Sequence, residues 1–255
     1  MSILISGDSH GCFDHICFVT QTAAFLGCKA VIQLGDFGYW PHTNEGVSFL
    51  DSVEKHLDLL AELSSKDISI YFIDGNHDYQ PELFKLQKQR GGNPLEPLKI
   101  RERLFWLPRG STGLLSGANV LFLGGSYSID KAIRVPGFSW WPEEQTRQQD
   151  IDQCLTLSDI DIVLAHDCPT AAEIGLGRKL RLSAVAESTF QRKLLQQVQD
   201  HLRPHTWVHG HYHINYEYSV DGTRFVGLSS EMTAGRNLAL LNNDGEIINL
   251  NNFVR

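Results

Sequence analysis

Short apolar runs alternate with longer amphipathic segments in the first third of the chain. The short runs, residues 3–6, 30–34 and 69–73, are rich in β-branched side chains and end at glycine or polar residues. This pattern is typical of buried strands that enter loops. Between them, residues 13–26 and 46–63 have helical length, and the second segment has an apolar face at three- and four-residue steps. The alternation predicts βαβ units and therefore parallel strand pairs.

The middle of the chain is less regular. A turn is predicted at residues 91–94, and an ordered irregular loop at residues 134–142, which are rich in proline, glycine and aromatic side chains. Residues 171–183 are ambiguous and are interpreted as a surface excursion. Two strands and two helices are also predicted here: residues 119–123 and 161–165, and residues 143–155 and 184–202.

The last fifty residues have a different pattern, in which short strands follow one another. The predicted strands are residues 206–208, 214–220, 223–228, 238–241 and 246–250. Asp221-Gly222 separates two alternating runs and is a strong signal for a hairpin turn. The chain has no internal repeat and no low-complexity tract. We therefore expect one domain over residues 1–255, with an α/β first half and a β-rich end.

Composition excludes several classes of protein. The chain has 255 residues, of which 42% are hydrophobic and 20% charged, so it is neither disordered nor collagen-like. No window approaches 18 uninterrupted apolar residues, and the first residues lack a signal-peptide pattern, so no membrane span or export is expected. The net charge of −8, without a basic run, makes nucleic acid an unlikely partner. Five cysteines without a C-x-x-C pair indicate reduced thiols and a cytoplasmic protein.

The candidate functional residues that follow the predicted strands are of only three types: aspartate, histidine and asparagine. They are Asp8, His10, Asp36, Asn76, His77, His166, His211 and His213. Ligands of open α/β sheets bind outside the carboxyl ends of strands, so the sheet is expected to bring these side chains to one rim. Carboxylate, imidazole and amide groups without thiolate suit Mn²⁺, Fe or Zn²⁺.

The number of candidate ligands favours two metal ions. Without His77, seven candidates remain, which is more than one tetrahedral ion needs but fits two ions that share a carboxylate. Such a pair fits phosphate ester hydrolysis best. Taken singly, each residue is more simply a strand-end polar group held by backbone hydrogen bonds. The ordered set favours the metal interpretation.

Five sequence blocks occur in a fixed order. They are Asp8-Ser9-His10, Gly35-Asp36, Gly75-Asn76-His77-Asp78, His166 and Gly210-His211-Tyr212-His213. Together they resemble the D-x-H, GD, GNH[DE], H and GHxH pattern of the calcineurin-like metallophosphoesterases. The resemblance spans Asp8 to His213, roughly four-fifths of the chain.

The resemblance implies a fold and a set of roles. The fold would be a four-layer αββα sandwich of two mixed β-sheets flanked by helices. One metal would be held by Asp8, His10, Asp36 and His213. The other would be held by Asp36, Asn76, His166 and His211. A two-metal-activated hydroxide would attack phosphorus directly, His77 would protonate the leaving oxygen or stabilise the transition state, and manganese is the favoured metal.

The second block differs from the pattern found in one branch of this family. The Ser/Thr protein phosphatases extend the second block to GDxxDRG, and their second Asp orients the His of GNH. Here Tyr39 stands in place of that Asp, and the following Arg is absent. The chain is therefore not expected to be a typical Ser/Thr protein phosphatase. His77 needs another orienting partner, for which Asp78 is the nearest in sequence.

Substrate residues are sought in the aromatic loop. Arg134 and Arg147 flank it and could bind phosphate, since guanidinium matches phosphate oxygens. Trp140 could stack a nucleobase or aryl group, although a role in the core is the competing interpretation for Trp140 and Trp141. The expected substrate is a phosphorylated small molecule, nucleotide or phosphoprotein. The alternatives are a nuclease of the same family and a catalytically silent metal-binding interaction protein.

Overall fold

Two mixed β-sheets pack face to face, and helices cover the outer face of each. The computed structural model describes residues 2–64, 67–174, 182–233 and 237–250. The strands are β1 (Ile3–Ser6), β2 (Ala30–Gln33), β3 (Ser69–Phe72), β4 (Leu98–Arg101), β5 (Leu104–Trp106), β6 (Ser111–Leu115), β7 (Ala118–Leu123), β8 (Ile162–Ala165), β9 (Thr206–His209), β10 (Tyr216–Val220), β11 (Thr223–Gly227), β12 (Leu238–Leu241) and β13 (Ile247–Asn249). The helices are α1 (Phe13–Phe25), α2 (Asn44–Ser64), α3 (Gln80–Arg90), α4 (Gln148–Cys154) and α5 (Leu182–Leu202).

The strand order places parallel strands at the centre of each sheet. The first sheet runs β13-β12-β1-β2-β3-β5-β4, with β1, β2, β3 and β5 parallel. The second runs β10-β11-β9-β8-β7-β6, with β11, β9, β8 and β7 parallel. The remaining neighbours pair antiparallel and form the margins of the sheets. Within each sheet the carboxyl ends of the central strands therefore lie along one rim.

Three buried apolar clusters correspond to the three spaces between four layers. The first joins α1, α2 and α3 to the first sheet, the second lies between the sheets, and the third joins the second sheet to α4 and α5. Representative buried residues of these spaces are Leu50 and Trp106, Leu34 and Val208, and Val198 and Trp207. The expected four-layer αββα sandwich is confirmed. No helix in the described ranges is long and apolar enough to cross a membrane.

Local signals predicted most of the elements. The strands over residues 3–6 and 238–241 have the expected bounds. The hairpin at Asp221-Gly222 is confirmed, because Val220 pairs with Thr223 and both turn residues have positive φ. The turn at residues 91–94 follows α3. Part of the segment 171–183 lies outside the described residues.

The predicted helix over residues 143–155 is wrong in its first half. Pro142–Glu144 forms a single 3₁₀ turn, and α4 begins only at Gln148. The chain between them is extended at Gln145 and Arg147. The carboxylate of Asp150 accepts a hydrogen bond from the Arg147 backbone N–H and so defines a new helix start.

Four elements, α3, β4, β5 and β6, were not predicted. The sequence of α3 is mostly polar, with Leu83 and Phe84 as its buried apolar residues, so it lacks an apolar stripe. The strands β4 and β5 hold four and three residues, and β6 has one buried residue, Ser111. Segments this short or this exposed carry little periodic signal.

Candidate active site

The first sheet supplies three buried polar residues at its carboxyl rim. Asp8, Asp36 and Asn76 follow β1, β2 and β3 and are 0%, 1% and 2% exposed. The backbone N–H of His77 donates to Oδ1 of Asp36 over 2.7 Å. The loops after β2 and β3 are thus joined through the carboxylate of Asp36.

The second sheet supplies histidines at the matching rim. His166 follows β8, and His211 and His213 follow β9. The Nδ1 atom of His166 donates to the carbonyl oxygen of Leu34 over 2.7 Å. Its Nε2 atom is therefore left without a proton when the ring is neutral and lies 3.1 Å from Oδ1 of Asn76.

Side chains from the two sheets meet directly. Nε2 of His213 lies 3.0 Å from Oδ2 of Asp8, and the backbone N–H of His211 donates to Oδ1 of the same carboxylate over 3.0 Å. On the other side, Oδ2 of Asp36 lies 3.4 Å from Nε2 of His10 and 3.5 Å from Nε2 of His166. Asp36 is therefore placed between histidines that come from different sheets.

Three overlapping groups of these side chains could hold a metal ion. Within each group the potential ligand atoms lie within 4.8 Å of one another. The groups are Asp8, His10 and His213; His10, Asp36 and His77; and Asp36, His166 and His211. The described residues thus bring all eight predicted site residues together, with Asn76 next to His166.

Close backbone approach makes this arrangement possible. A Cβ atom on Gly75 would lie 2.2 Å from Oδ1 of Asp36, and one on Gly210 would lie 2.1 Å from Oδ1 of Asp8. Both distances are far shorter than real Cβ contacts. Glycine at these positions allows the loops to approach the two carboxylates.

Four of the predicted ligands have a left-handed backbone. The φ angles are 43° at His10, 55° at Asp36, 66° at His211 and 53° at His213. Aspartate and histidine are among the non-glycine residues that adopt this region most readily. The conformation turns each loop sharply after its strand.

The electrostatics of the rim fit a positively charged ligand. Burial lowers the pKa of His10 and His166, but Asp36 and Asp8 outweigh this effect and raise both pKa values to about 10. Burial raises the pKa of Asp36, yet His166, His77 and His10 hold it well below the usual range. The carboxylates thus stabilise positive charge at the rim, which protonated imidazoles or bound cations can supply.

The donor set also fits divalent cations by its chemistry. It offers two buried carboxylates, imidazole nitrogens that face them, and an amide oxygen. In contrast, burial and the neighbouring His166 lower the pKa of His211 well below its ordinary value. A neutral imidazole at this position is suitable as a metal ligand.

Several polar neighbours of the site were missed by sequence reasoning. Glu231 lies 2.9 Å from Nδ1 of His10. Ser126 donates to Oδ1 of Asn76 over 2.9 Å, and Ser128 accepts from Nδ2 of Asn76 over 3.1 Å. These residues follow β11 and β7, so the strand-end signal that found the other residues applied to them as well.

Asp78 does not orient His77. Its carboxylate accepts hydrogen bonds from the backbone N–H groups of Phe37, Gly38, Tyr39 and Gly75. The Nη2 atom of Arg134 contacts both nitrogens of the His77 ring, and the centroid of the His10 ring lies 5.2 Å from that of His77. Asp78 instead fixes the backbone of the GD and GNHD loops.

The predicted substrate residues are separated by the structure. Arg134 lines a cavity beside His77, with Trp141 rather than Trp140 in its wall. Lys131 Nζ lies 4.2 Å from the centroid of the Trp140 ring. Arg147 is not brought to this cavity, because it pairs with Asp150 at 2.9 Å and lies over the ring of Phe84.

Comparisons with known proteins agree with this architecture. A protein of Thermus thermophilus, TT1561, is 15% identical in sequence, with a TM-score of 0.55 and 98% of each chain covered. A dimetal phosphatase from Danio rerio is 12% identical, with a TM-score of 0.54, and the alignment covers 93% of this chain and 91% of that one. At these identities the likeness shows the fold. A search of curated protein sequences finds no match.

The family comparison covers the five blocks. The family model of the calcineurin-like phosphoesterases matches residues 1–215, which include every strand-end residue of the site up to His213. The family is metal-dependent, in agreement with the three potential metal-binding groups. The chain belongs to the calcineurin-like phosphoesterase family.

Proposed function

We propose that the chain hydrolyses phosphate monoesters or diesters with two divalent cations, of which Mn²⁺ is favoured. The observation that carries this proposal is the position of Asp36. Its Oδ2 atom lies 3.4 Å from Nε2 of His10 and 3.5 Å from Nε2 of His166. One carboxylate therefore faces two groups of ligands, as a residue shared by two ions must.

The other residues would divide between the two ions as the family pattern implies, and two of the three close groups, Asp8 with His10 and His213, and Asp36 with His166 and His211, support this division. Asp8, His10, Asp36 and His213 would hold the first ion. Asp36, Asn76, His166 and His211 would hold the second. When bound, the cations would lower the pKa of a water molecule and withdraw electron density from the phosphoryl group. The dimetal phosphatase from Danio rerio has the same fold and provides a precedent for a pair of ions.

His77 and Arg134 would act on the phosphate and the leaving oxygen. The guanidinium of Arg134 only donates hydrogen bonds, so in its contact with the His77 ring an imidazole nitrogen must accept with its lone pair. A phosphate oxygen is a stronger acceptor for this guanidinium than neutral imidazole. Substrate would therefore take over the hydrogen bond from Arg134, and the freed lone pair of His77 would take up a proton from solvent, which the ring would then donate to the leaving oxygen.

The expected substrates are phosphorylated small molecules, nucleotides or phosphoproteins. We also expect a cytoplasmic protein. In support of this, all five cysteines are free, and Cys28, Cys154 and Cys168 are buried. Reduced thiols are the rule in the cytoplasm.

Asp36→Asn tests the two-ion arrangement. The full chain is stripped with a chelator, reloaded with Mn²⁺ and assayed on p-nitrophenyl phosphate and bis-p-nitrophenyl phosphate, with the bound metal measured by mass spectrometry. We expect two ions per wild-type chain, and we expect Asp36→Asn to lose metal and turnover together. His205→Ala, at an exposed position, is the control. Two bound ions without turnover of either ester would favour a silent binding protein, and full activity of Asp36→Asn would overturn the proposal.

His77→Ala separates metal binding from proton transfer. We expect this variant to keep both ions and to lose rate by about 10²–10⁴-fold, the usual contribution of a general acid. A variant that retains the full rate on both esters would show that another group protonates the leaving oxygen.

A further inference from the structure

An aromatic cavity lies directly beside His77. Its volume is about 360 Å³, within the range of roughly 300–1,000 Å³ that is typical of small-molecule sites. Its walls include the rings of Trp40, His42, Phe138 and Trp141. Aromatic rings thus line a space that opens next to the residue proposed to protonate the leaving oxygen.

Packing holds two of these rings in place. The indole N–H of Trp40 donates to the backbone oxygen of His77. A Cβ atom on Gly11 would lie 2.8 Å from Cζ3 of Trp40, so the indole packs tightly against the loop after β1. The ring centroid of Trp141 lies 4.9 Å from that of Tyr79 in an edge contact. These walls are therefore preorganised for a ligand.

Phe138 forms an exposed part of the wall on a well-bonded loop. The backbone N–H groups of Phe138 and Ser139 donate to the oxygen of Val135 over 3.1 and 2.9 Å. The backbone N–H of Val135 donates to Oγ of Ser139 over 2.9 Å. Yet Phe138 is 70% exposed. A large apolar side chain held exposed at the mouth of a cavity is suited to cover a ligand.

The charged residues of the cavity favour one orientation of a bound phosphate ester. Arg134, a largely buried cation that pairs with Asp130 at 2.9 Å, lies beside His77, and the exposed carboxylate of Glu45 also lines the cavity. A phosphate would be attracted to Arg134 and repelled by Glu45. The rest of the substrate would then occupy the aromatic part of the cavity.

We propose that this cavity binds the leaving group of the substrate and that this group carries a planar aromatic ring, either the base of a nucleoside or an aryl ring. This proposal rests on the proposed phosphoesterase function and names its substrate class. Stacking between aromatic side chains and a planar ring is strong and is lost when the ring is replaced by a saturated group. Preference for such esters would come from Trp40, His42, Phe138 and Trp141.

Two matched pairs of ligands test the proposal. Adenosine 5′-monophosphate and ribose 5-phosphate present the same ester and differ in the base. Benzylphosphonate and cyclohexylmethylphosphonate cannot be hydrolysed and differ in the planarity of a six-membered ring. For the Mn²⁺-loaded chain, we expect kcat/KM to favour adenosine 5′-monophosphate by roughly 5- to 150-fold, or calorimetric affinity to favour benzylphosphonate by a similar factor.

Variants of Phe138 connect the preference to the cavity. We expect Phe138→Leu to reduce the preference by about fivefold or more and Phe138→Tyr to retain it, since the second variant keeps a ring. Val135→Ala is the control, because Val135 is exposed on the same loop and lies outside the lining. A preference that is unchanged in Phe138→Leu would contradict the proposal.

The outcomes separate this proposal from the proposed function. A preference for adenosine 5′-monophosphate identifies a nucleobase site, and a preference for benzylphosphonate alone identifies an aryl site. Equal use of both esters with equal binding of both phosphonates overturns the aromatic site and leaves the hydrolase proposal intact. Absence of hydrolysis of these monoesters and of bis-p-nitrophenyl phosphate by the metal-loaded chain overturns the hydrolase proposal, while phosphonate binding still decides whether the cavity selects planar rings.

Discussion

A carboxylate oxygen of Glu231 lies 2.9 Å from Nδ1 of His10, while the opposite ring nitrogen of His10 faces Asp36. A carboxylate accepts only, so Nδ1 of His10 donates and Nε2 remains for Asp36 or a cation. The backbone N–H of Glu231 also donates to the carbonyl oxygen of Asp8 over 3.0 Å. Glu231 is thus placed to orient the His10 ring, and it lies outside the family match over residues 1–215.

Glu231→Ala is expected to weaken metal binding by about 10–100-fold, because removing the partner of a ligating histidine leaves its ring free to turn. Glu231→Gln retains an acceptor oxygen and should recover part of the affinity. Calorimetric Mn²⁺ titration of the stripped chain measures both effects, and Glu246→Ala, at an exposed turn, serves as the control. Equal affinities for wild type and Glu231→Ala would exclude the positioning role.

A chain of two hydrogen bonds fixes the orientation of the Asn76 amide. Nδ2 of Asn76 donates to Oγ of Ser128 over 3.1 Å, and this hydroxyl donates to Oε2 of the buried Glu144 over 2.6 Å. This chain of hydrogen bonds therefore directs Oδ1 of Asn76 toward His166. We expect Ser128→Ala to reduce the affinity for one of two Mn²⁺ ions by about 10–100-fold, and Ser128→Thr to preserve it through the retained hydroxyl. Equal loss in both variants would mean that packing, rather than the hydroxyl, matters.

Gly75→Ala is expected to reduce metal binding at the candidate site by steric contact with Asp36 alone. The added methyl group would lie 2.2 Å from Oδ1 of Asp36, so the carboxylate must move, and the stability loss from overpacking is about 1–3 kcal/mol. Metal content after dialysis and the thermal midpoint measure the two effects. Gly113→Ala provides the comparison, since its nearest neighbour would lie at an ordinary 3.5 Å. Full metal content in Gly75→Ala would show that the Asp36 loop can shift without loss of the site.

The carboxylate of Asp150 is expected to make a pH-dependent contribution to the free energy of unfolding. Burial raises its pKa, but hydrogen bonds from Arg147 and the charge of Arg109 outweigh burial and hold the pKa below its ordinary value. Stability from this carboxylate is therefore present above the unfolded pKa, about 3.9, and is lost as the pH falls through the lower folded pKa. We expect Asp150→Asn to cost about 1–3 kcal/mol at pH 7 and progressively less below about pH 4.

Urea unfolding at several pH values measures this contribution. Asp152→Asn is the control, because Asp152 is exposed on the same helix. A stability difference between wild type and Asp150→Asn that stays constant down to acidic pH would contradict the assignment.

The sequence predicted the rim of the site because strand ends carry a local signal. Asp8, Asp36 and His166 each follow a short apolar run, and parallel topology brings such ends together. Glu231 follows a strand as well, but neither Glu231 nor Glu144 could be assigned a role from its position in the sequence. Their roles depend on contacts with His10 and Ser128 that the packing of distant loops creates.

The contacts of His77 also could not be predicted from the sequence alone. Asp78 is its neighbour in sequence, but four backbone N–H groups surround the Asp78 carboxylate. Arg134, 57 residues away, contacts the ring instead. Likewise, the aromatic loop was predicted, but which of Trp140 and Trp141 lines the cavity depends on the path of the loop.

The left-handed backbone at His10, Asp36, His211 and His213 limits which side chains these positions can accept. A β-branched residue is strained in this region, whereas asparagine, aspartate and histidine adopt it more readily. The hydrogen bond from His211 N–H to Asp8 depends on the same turn. Valine or isoleucine at these positions is therefore expected to disturb the course of the loops in addition to removing a polar side chain.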